Sequence, residues 1–290
     1  MILEGLANNV IKAIIADVDG VMVGKREGVN FPLPHMNVVG ALRAVAADGI
    51  PVVLCSAKFH RALDGIIHQA RLNNPHITDG GALIINPLGD KKIIEQIAID
   101  KAVISQYLAA NAAYTELYSA DAYFVPKGED PEFMAKRARL LQMEPTLVDS
   151  LNEVNAAETI IKIISYADDE FDIPRVEAQV KRLGKEVNYI WSHHPFIMPR
   201  QPCVMTAPGV SKEHAARDVA RYLGVSFNQI LGIGDSSADW SFVRLCGYAG
   251  VVGSNGELIK LALTKGHKTY LRKSVDDHGL LDILGHFGLL

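Results

Sequence analysis

The chain has 290 residues, enough for two domains or for one large domain that carries an insertion. Its net charge of −4 gives no excess of basic residues of the kind that binds nucleic acids or anionic membranes. The content of 49% apolar and 21% charged residues is typical of a soluble protein. Three widely spaced cysteines exclude a disulfide framework and a CxxC metal site, so we expect a cytoplasmic protein. We expect no membrane span, since no apolar run reaches about 18 residues. We also expect no signal peptide, since the N-terminal apolar stretch is interrupted by Asn8, Asn9 and Lys12.

Strands and helices are predicted in alternation at the start of the chain. The apolar, partly β-branched run AIIA at 13–16 predicts a buried parallel strand, and IPVVLC at 50–55 predicts a second one. Residues 21–32, with two glycines, predict a small hairpin or flap. Apolar side chains at helical spacing predict helices over 35–47 and 59–72. This order predicts a parallel sheet with right-handed crossovers.

The same alternation returns at the end of the chain. A helix, a strand, a helix, a strand and a further helix are predicted at 212–223, 230–234 (ILGIG), 238–245, 250–253 and from 254 onward. The last of these helices has Ser254 or Asn255 as its N-cap. The two ends of the chain therefore predict one α/β domain with a Rossmann-like parallel sheet.

The segment between these two halves is too long and too regular to be a loop. Strands are predicted at 123–125, 159–164 and 189–191, and helices at 101–112, 131–142 and 173–183. We therefore predict a core domain formed by 1–85 and 199–290, with an inserted α+β cap domain over 86–198.

Two carboxylates, Asp17 and Asp19, follow the first predicted strand in the sequence DVDG. Ligands of open α/β sheets bind at the carboxyl ends of the strands, so we expect both side chains there. Two like charges about 4 Å apart repel by ~4 kcal/mol at an effective dielectric of 20, and a bound cation or a shared proton relieves this repulsion. A DxD sequence also occurs in ordinary loops, which is the alternative for this pair alone.

Ser56 and Lys212 are candidate phosphate-binding residues. Ser56 follows the second strand, at a turn where a hydroxyl and backbone N–H groups can hold phosphate oxygens. Serine is equally common as a helix cap. Lys212 lies near the first turn of a helix, where the helix dipole disfavours a cation unless an anion meets it. A solvated surface lysine is its alternative.

Asp235 and Asp239, in GDSSAD, follow the strand ILGIG. Mg2+ prefers one or two carboxylates together with waters and a substrate phosphate. Asp17 and Asp235 can supply these carboxylates, while Asp239 can hold a bound water or orient Lys212. An ordinary acidic residue at a helix N-terminus is the alternative for Asp239.

Together these residues predict magnesium-dependent phosphoryl transfer. We expect Asp17 to attack phosphorus and to form an aspartyl-phosphate intermediate, which divides one difficult displacement into two. Asp19 would protonate the leaving oxygen and later accept a proton from the attacking water. Ser56 and Lys212 would offset the charge on the phosphoryl oxygens.

The four sequence segments, in this order, resemble the motifs of the haloacid dehalogenase (HAD) superfamily of phosphohydrolases. DVDGV at 17–21 matches the first motif, Ser56 the second, Lys212 the third and GDSSAD at 234–239 the fourth. The insertion between the second and third motifs resembles the cap of the Cof-type branch, which includes sugar-phosphate phosphatases and eukaryotic phosphomannomutase. The resemblance implies a HAD fold and a small phosphate ester as substrate.

The resemblance also implies roles for particular residues. Asp17 would be the nucleophile and Asp19 the general acid and base. Mg2+ would be held by the Asp17 carboxylate, the backbone carbonyl of Asp19 and Asp235, with support from Asp239. Asn255, in VVGSNGE, matches an asparagine that is frequent near the site in this branch.

Three positions depart from the family pattern. Val21 replaces a frequent threonine, at little cost if the backbone N–H is the working donor. In SAK at 56–58, Lys58 stands where many relatives have an arginine, so we expect a phosphate contact that is not bidentate. Ala238 replaces an asparagine that often precedes the last aspartate, which puts that hydrogen-bond network in question.

Candidate substrate contacts of the cap are expected near its return to the core. Tyr189, His193, His194 and Arg200 cluster there, and Lys58 joins them from the second motif. A cap must close over the leaving group to exclude water, which favours polar side chains at such positions. A purely structural role at a strand end and loop is the alternative for each of them.

The leading interpretation is a phosphatase that acts on a small phosphorylated metabolite, a sugar or polyol phosphate. A phosphomutase on the same scaffold is the nearest alternative, since it differs only in keeping its phosphoryl group from water. A DxD glycosyltransferase would leave Lys212 and GDSSAD unused, and a non-catalytic phosphate sensor is the last alternative. The sequence indicates a small phosphate ester as the partner, and no nucleic acid or membrane.

Overall fold

The computed structural model describes residues 11–110, 113–192 and 195–290. The chain forms two compact units. The described residues of 1–57, 63–94 and 212–290 form the core unit, and those of 58–62 and 95–211 form the cap unit. None of the described helices has both the length and the apolar content that a bilayer span requires.

The core unit and the cap unit both contain strands and helices. The strands, in chain order, are β1 (Ala13–Ala16), β2 (Val52–Leu54), β3 (His76–Thr78), β4 (Leu83–Ile85), β5 (Ile93–Gln96), β6 (Thr115–Tyr118), β7 (Tyr123–Pro126), β8 (Thr146–Val148), β9 (Lys162–Ala167), β10 (Asn188–Trp191), β11 (Gln201–Thr206), β12 (Ile230–Gly234), β13 (Tyr248–Val252) and β14 (Thr269–Arg272). The helices are α1 (Met36–Ala47), α2 (Arg61–Ala70), α3 (Lys101–Ala110), α4 (Pro131–Leu141), α5 (Leu151–Ala157), α6 (Ile173–Lys181), α7 (Lys212–Leu223), α8 (Trp240–Val243), α9 (Gly256–Leu263) and α10 (Gly279–His286).

The core unit is built on a parallel sheet. Among the described residues, five strands form it in the order β14-β13-β12-β1-β2, and each neighbouring pair is parallel. Every residue of β1, β2, β12 and β13 is buried, which explains why these strands are continuous apolar runs in the sequence. The predicted α/β core with a parallel sheet is therefore confirmed.

The cap unit contains a different kind of sheet. Its described strands have the order β10-β11-β9-β6-β7-β8, with antiparallel pairs except for the parallel pair of β7 with β8. Apart from the short segment 58–62, the chain passes from the core unit to the cap unit at 94/95 and returns at 211/212, whereas the sequence placed these points at 85/86 and 198/199. The difference arises because β5 extends a small sheet with β3 and β4, while β11 pairs along its whole length with β9 of the cap sheet.

His76, on β3, is a fully buried histidine that the fold holds in its neutral form. Its Nδ1 accepts a hydrogen bond from the Leu54 N–H at 3.2 Å, and its Nε2 lies 3.1 Å from the Leu72 carbonyl oxygen, to which it donates. Burial lowers the pKa of His76 from 6.5 to about 4. Protonation of Nδ1 would also break the hydrogen bond from Leu54.

We therefore expect His76 to make the protein acid-sensitive. The unfolded chain protonates this ring below pH 6.5, whereas the folded chain does so only near pH 4. The free energy of unfolding should accordingly fall by about 3 kcal/mol as the pH decreases through this window. Urea unfolding at several pH values tests this against His76→Asn, which should be less stable at pH 7.5 but lose this part of the pH dependence. An equal pH dependence in the two proteins would contradict the assignment.

Candidate active site

The carboxyl ends of β1, β2 and β12 lie side by side, and each is followed by a polar residue that the sequence singled out. Asp17 comes directly after β1, and its N–H donates to the carbonyl of Ile233 at 2.9 Å. Asp235 comes directly after β12, and Ser56 comes two residues after β2. Because these strands are parallel, the three side chains emerge at the same edge of the sheet.

Lys212 joins two of the carboxylates at this edge. Its Nζ donates to Oδ1 of Asp17 at 2.9 Å and to Oδ1 of Asp239 at 2.8 Å. Burial alone would lower the pKa of Lys212, but the charges of Asp17 and Asp239 outweigh it and raise the pKa above its ordinary value. These two carboxylates also explain how a lysine is accommodated at the first residue of α7, against the helix dipole.

Asp239 is fully buried, and both of its carboxylate oxygens accept hydrogen bonds. Its Oδ2 accepts hydrogen bonds from the N–H of Asp235 at 3.2 Å, the N–H of Ser236 at 3.1 Å and the hydroxyl of Ser236 at 2.9 Å. A Cβ at position 234 would overlap the Asp239 side chain, so the glycine before Asp235 is required for this arrangement. Asp239 thus anchors Lys212 to the turn that follows β12.

The DVDG turn is shaped to receive the side chain of Asp235. Gly20 has φ +78°, and a Cβ at this position would overlap the Asp235 carboxylate. The Gly20 N–H donates to the carbonyl of Val23 at 2.8 Å, and the N–H groups of Met22 and Val23 both donate to the carbonyl of Val18 at 2.9 Å. The side chain of Asp19, between Val18 and Gly20, is exposed at this turn.

Three carboxylates of this edge form a possible metal site. Asp17, Asp235 and Asp239 each offer an oxygen, and the three atoms lie within 4.8 Å of one another. Burial raises the pKa of Asp17 to about 7, and the charge of Asp239 adds to this while Lys212 opposes it. Burial, followed by the charge of Asp239, likewise raises the pKa of Asp235 to about 7. The three carboxylates are therefore not fully neutralised by Lys212. Carboxylate oxygens with uncompensated negative charge are the ligands that suit Mg2+.

Because these carboxylates repel one another, we expect Asp235→Asn to stabilise the protein. A carboxyl whose pKa is raised from 3.8 to about 7 by folding destabilises the protein progressively as the pH rises through that range. In EDTA at pH 8, the variant should therefore be more stable than the wild type by about 1 kcal/mol, an amount that allows for partial solvent exposure. Millimolar Mg2+ should raise the melting temperature of the wild type and not of the variant.

The exposed Asp48, which follows α1 at the opposite edge of the sheet, supplies a matched control. Asp48→Asn should leave both the stability in EDTA and the response to Mg2+ unchanged. A response to Mg2+ that persists in Asp235→Asn would exclude Asp235 as a ligand.

Ser56 and Asn255 are both tied into local structure. Ser56 is buried, its N–H donates to the carbonyl of Ile77 at 2.9 Å, and its carbonyl accepts from the Gly80 N–H at 3.1 Å. Asn255 is the N-cap of α9, and its Oδ1 accepts from the Leu258 N–H at 2.9 Å. For Asn255 the structure therefore shows a helix-capping role.

The remaining predicted contacts belong to the cap unit. Arg200 is engaged there: its Nη2 donates to Oε1 of Glu129 at 3.0 Å, and its guanidinium lies 4.2 Å from the ring centre of Phe133. These contacts favour the structural alternative for Arg200. Lys58, half-buried, groups with the cap unit rather than with the strand that precedes it. His193 and His194 lie outside the described residues.

A buried ion pair in the cap unit was not predicted from the sequence. Arg137 Nε and Nη2 donate to the two carboxylate oxygens of Glu116 at 3.1 and 2.9 Å, and the Tyr166 hydroxyl donates to Glu116 at 3.0 Å. Glu116 is fully buried. The available signal was the one charged residue of β6, whose sequence is TELY, since a carboxylate in a buried strand requires a partner of opposite charge.

Comparison with known proteins agrees with this architecture. A profile of the haloacid dehalogenase-like hydrolases matches residues 14–284, and the chain therefore belongs to this family. Phosphatase YwpJ of Bacillus subtilis (strain 168) is 23% identical over 302 aligned positions, which cover 95% of this chain and 99% of that protein.

Solved structures share the fold over nearly the whole chain. BT1666 from Bacteroides thetaiotaomicron, described among phosphatases of the HAD superfamily, has a TM-score of 0.75 at 20% identity and covers 100% of this chain and 99% of its own. The HAD subclass IIB sugar phosphatase BT4131 has a TM-score of 0.71 at 18% identity and covers 96% and 100%. The family, the fold and the enzyme class predicted from the motifs are confirmed: the chain is a HAD-like hydrolase whose named relatives are phosphatases.

Proposed function

We propose that the protein is a magnesium-dependent phosphatase that acts through an aspartyl-phosphate on Asp17. The observation that carries this proposal is the position of Asp17. It is a buried carboxylate at the end of a central strand, it is hydrogen-bonded by Lys212, and it lies close to the carboxylates of Asp235 and Asp239. Such a group combines a fixed orientation with a cationic partner, which is what a carboxylate nucleophile needs to approach an anionic phosphate.

Asp17 performs the first displacement in this proposal. Its carboxylate oxygen forms a bond to phosphorus while the bond from phosphorus to the ester oxygen breaks. The hydrogen bond from Lys212 holds the carboxylate in place and lowers the pKa of Asp17 against the effect of burial, so that the ionised form is available to attack. The same ammonium offsets charge that develops on the phosphoryl oxygens, and Ser56, which follows β2, helps to offset this charge.

Asp19 moves the protons. It lies two residues after the nucleophile, and it is exposed to solvent. In the first step its carboxyl donates a proton to the departing alkoxide. In the second step its carboxylate accepts a proton from a water that attacks phosphorus, which releases inorganic phosphate and regenerates the carboxylate of Asp17.

Asp17 and Asp235, with the backbone carbonyl of Asp19, are the groups that would hold Mg2+. Asp239 would support this site by holding Lys212, since its own oxygens are already occupied by hydrogen bonds. Mg2+ held there would supply positive charge that reduces the repulsion of the nucleophile and the phosphate dianion.

The proposed substrate is a small phosphorylated metabolite, a sugar or polyol phosphate. The structural similarity to the sugar phosphatase BT4131 and the presence of a separate cap unit support this class. The proposal includes a reducing cytoplasmic setting, since Cys55, Cys203 and Cys246 are all free, buried thiols.

A substrate screen tests the proposal. Phosphate release should be measured over sugar, polyol, nucleotide and cofactor phosphates, each with Mg2+ and with EDTA. We expect Mg2+-dependent release that is greatest for a sugar or polyol phosphate. Isomerisation of a sugar phosphate without net phosphate release, dependent on a sugar bisphosphate, would identify a phosphomutase instead. Turnover that persists in EDTA would contradict the role of the metal.

A further inference from the structure

The flap, residues 21–32, is closed at its base by a buried asparagine. Asn30 is only 4% exposed, and both groups of its side-chain amide are used. Its Oδ1 accepts from the Arg26 N–H at 2.9 Å, and its Nδ2 donates to Oδ1 of Asp276 at 2.6 Å. Its backbone carbonyl accepts from the Gly24 N–H at 2.9 Å. One side chain therefore joins the two arms of the flap to a segment almost at the other end of the chain.

The same contacts continue into the turn that carries Asp19. Gly24, which is bound to Asn30, directly follows Val23, and Val23 forms a β-bridge with Asp19. A Cβ at position 24 would overlap the side chains of both Asn30 and Asp276, so the packing at this point is tight. The position of Asp19 is thus linked to Asp276 through two hydrogen bonds, one peptide bond and one β-bridge.

We propose that Asn30 and Asp276 form a clamp that positions Asp19 for proton transfer. The proposal rests on the proposed function, in which Asp19 is the general acid and base. Neither residue contacts the reacting atoms in this account; both are positioning residues that act through the Val18–Val23 turn. The clamp depends mainly on the hydrogen bond from Asn30, because the ion pair of Arg26 with Asp276 is 3.8 Å long and its arginine is 58% exposed.

The effect on activity should depend on the leaving group. An alkoxide from a sugar or polyol phosphate needs a proton as it departs, whereas p-nitrophenolate is stable without one. We expect Asn30→Ala and Asp276→Ala to lower kcat/KM by about tenfold on an alkyl phosphate, and by less than about twofold on p-nitrophenyl phosphate. The loss should be in kcat rather than in KM.

Exchange of the two side chains distinguishes a clamp from general damage. Asn30→Asp alone places two carboxylates together and should be as harmful as Asn30→Ala. The double variant Asn30→Asp, Asp276→Asn restores a carboxylate–amide pair in the reverse direction and should recover most of the activity on the alkyl phosphate. Asp277→Ala is the matched control, because Asp277 accepts from the Ser274 hydroxyl at 3.0 Å and not from Asn30, and it should behave as the wild type.

Hydrogen exchange of the flap amides supplies a readout that is independent of activity. Exchange at Gly24 and Arg26 should be faster in Asp276→Ala than in the wild type, with the central strands unchanged. Unchanged exchange at these amides, or an equal loss of activity on both substrates, would overturn the clamp while leaving the phosphatase proposal intact. If the wild type hydrolyses no phosphate ester, the proposed function fails and, with it, the role of the clamp in proton transfer, whatever the exchange rates show.

Discussion

Replacement of Asp17 by asparagine is expected to lower kcat by at least about 10⁴-fold on the best substrate. The amide has nearly the same shape as the carboxylate, but it is a poor nucleophile and carries no charge for the metal or for Lys212. Because Asp17 is buried and crowded by Asp239, loss of its charge should not destabilise the protein at pH 8. The measurement is steady-state phosphate release together with a thermal melt in EDTA.

The control for this variant is Asp48→Asn, which removes an exposed carboxylate of the same core unit. It should retain the activity of the wild type. If Asp17→Asn keeps more than a few per cent of kcat after contamination with other phosphatases has been excluded, Asp17 is not the nucleophile.

Replacement of Lys212 by methionine has the second-largest expected effect. The ammonium donates to Asp17 at 2.9 Å and to Asp239 at 2.8 Å, and methionine preserves the volume without the charge. We expect kcat/KM to fall by about 10²- to 10³-fold, because both the orientation of the nucleophile and the charge facing the phosphate are lost.

The pH profile of the Lys212 variant should also change in a defined direction. Lys212 lowers the pKa of Asp17, so its removal raises that pKa further above its ordinary value. The ionised nucleophile then appears only at higher pH, and the acid limb of kcat/KM should move upward by about one pH unit. Lys260→Met, which removes an exposed lysine of α9, should change neither the rate nor the profile. An unshifted acid limb in Lys212→Met would contradict the electrostatic role of this lysine.

The sheet of the core unit could be predicted closely because its strands are buried on both faces. Such strands are continuous apolar runs, so AIIA and ILGIG gave the bounds of β1 and β12 as observed. The predicted helix over 238–245 was wrong in extent: the structure has a tight turn and the four-residue α8, because the side chain of Asp239 bonds back to the turn before it. The spacing of apolar residues in the sequence does not show whether such a hydrogen bond forms.

The limits of the cap were harder to predict. β11 lies close in sequence to α7 of the core unit, and it is the pairing of β11 with β9 and β10 that assigns it to the cap sheet. β8 has only three residues, TLV, which is too short a run to show the alternation of a strand. Pairing between strands distant in sequence is a tertiary property, which local patterns cannot supply.

The sequence motifs named four charged residues of the candidate site, but not the contacts that hold them in place. The structure brings Asp17, Lys212, Asp235 and Asp239 together at one edge of the sheet. The contact between Gly20 and Asp235, and the clamp of Asn30 with Asp276, join segments far apart in sequence. No spacing rule connects such pairs, so they became visible only in three dimensions.

The most direct test of the central claim is detection of the phosphoryl group on Asp17. A single turnover with Mg2+ and the best substrate should be quenched in acid at short times, and the peptide that contains Asp17 should be analysed by mass spectrometry. We predict a transient mass increase of one phosphoryl group on Asp17, which requires Mg2+ and is absent from Asp17→Asn. Phosphate release with no phosphoryl group on Asp17 at any quench time, or with the group on another residue, would contradict the account.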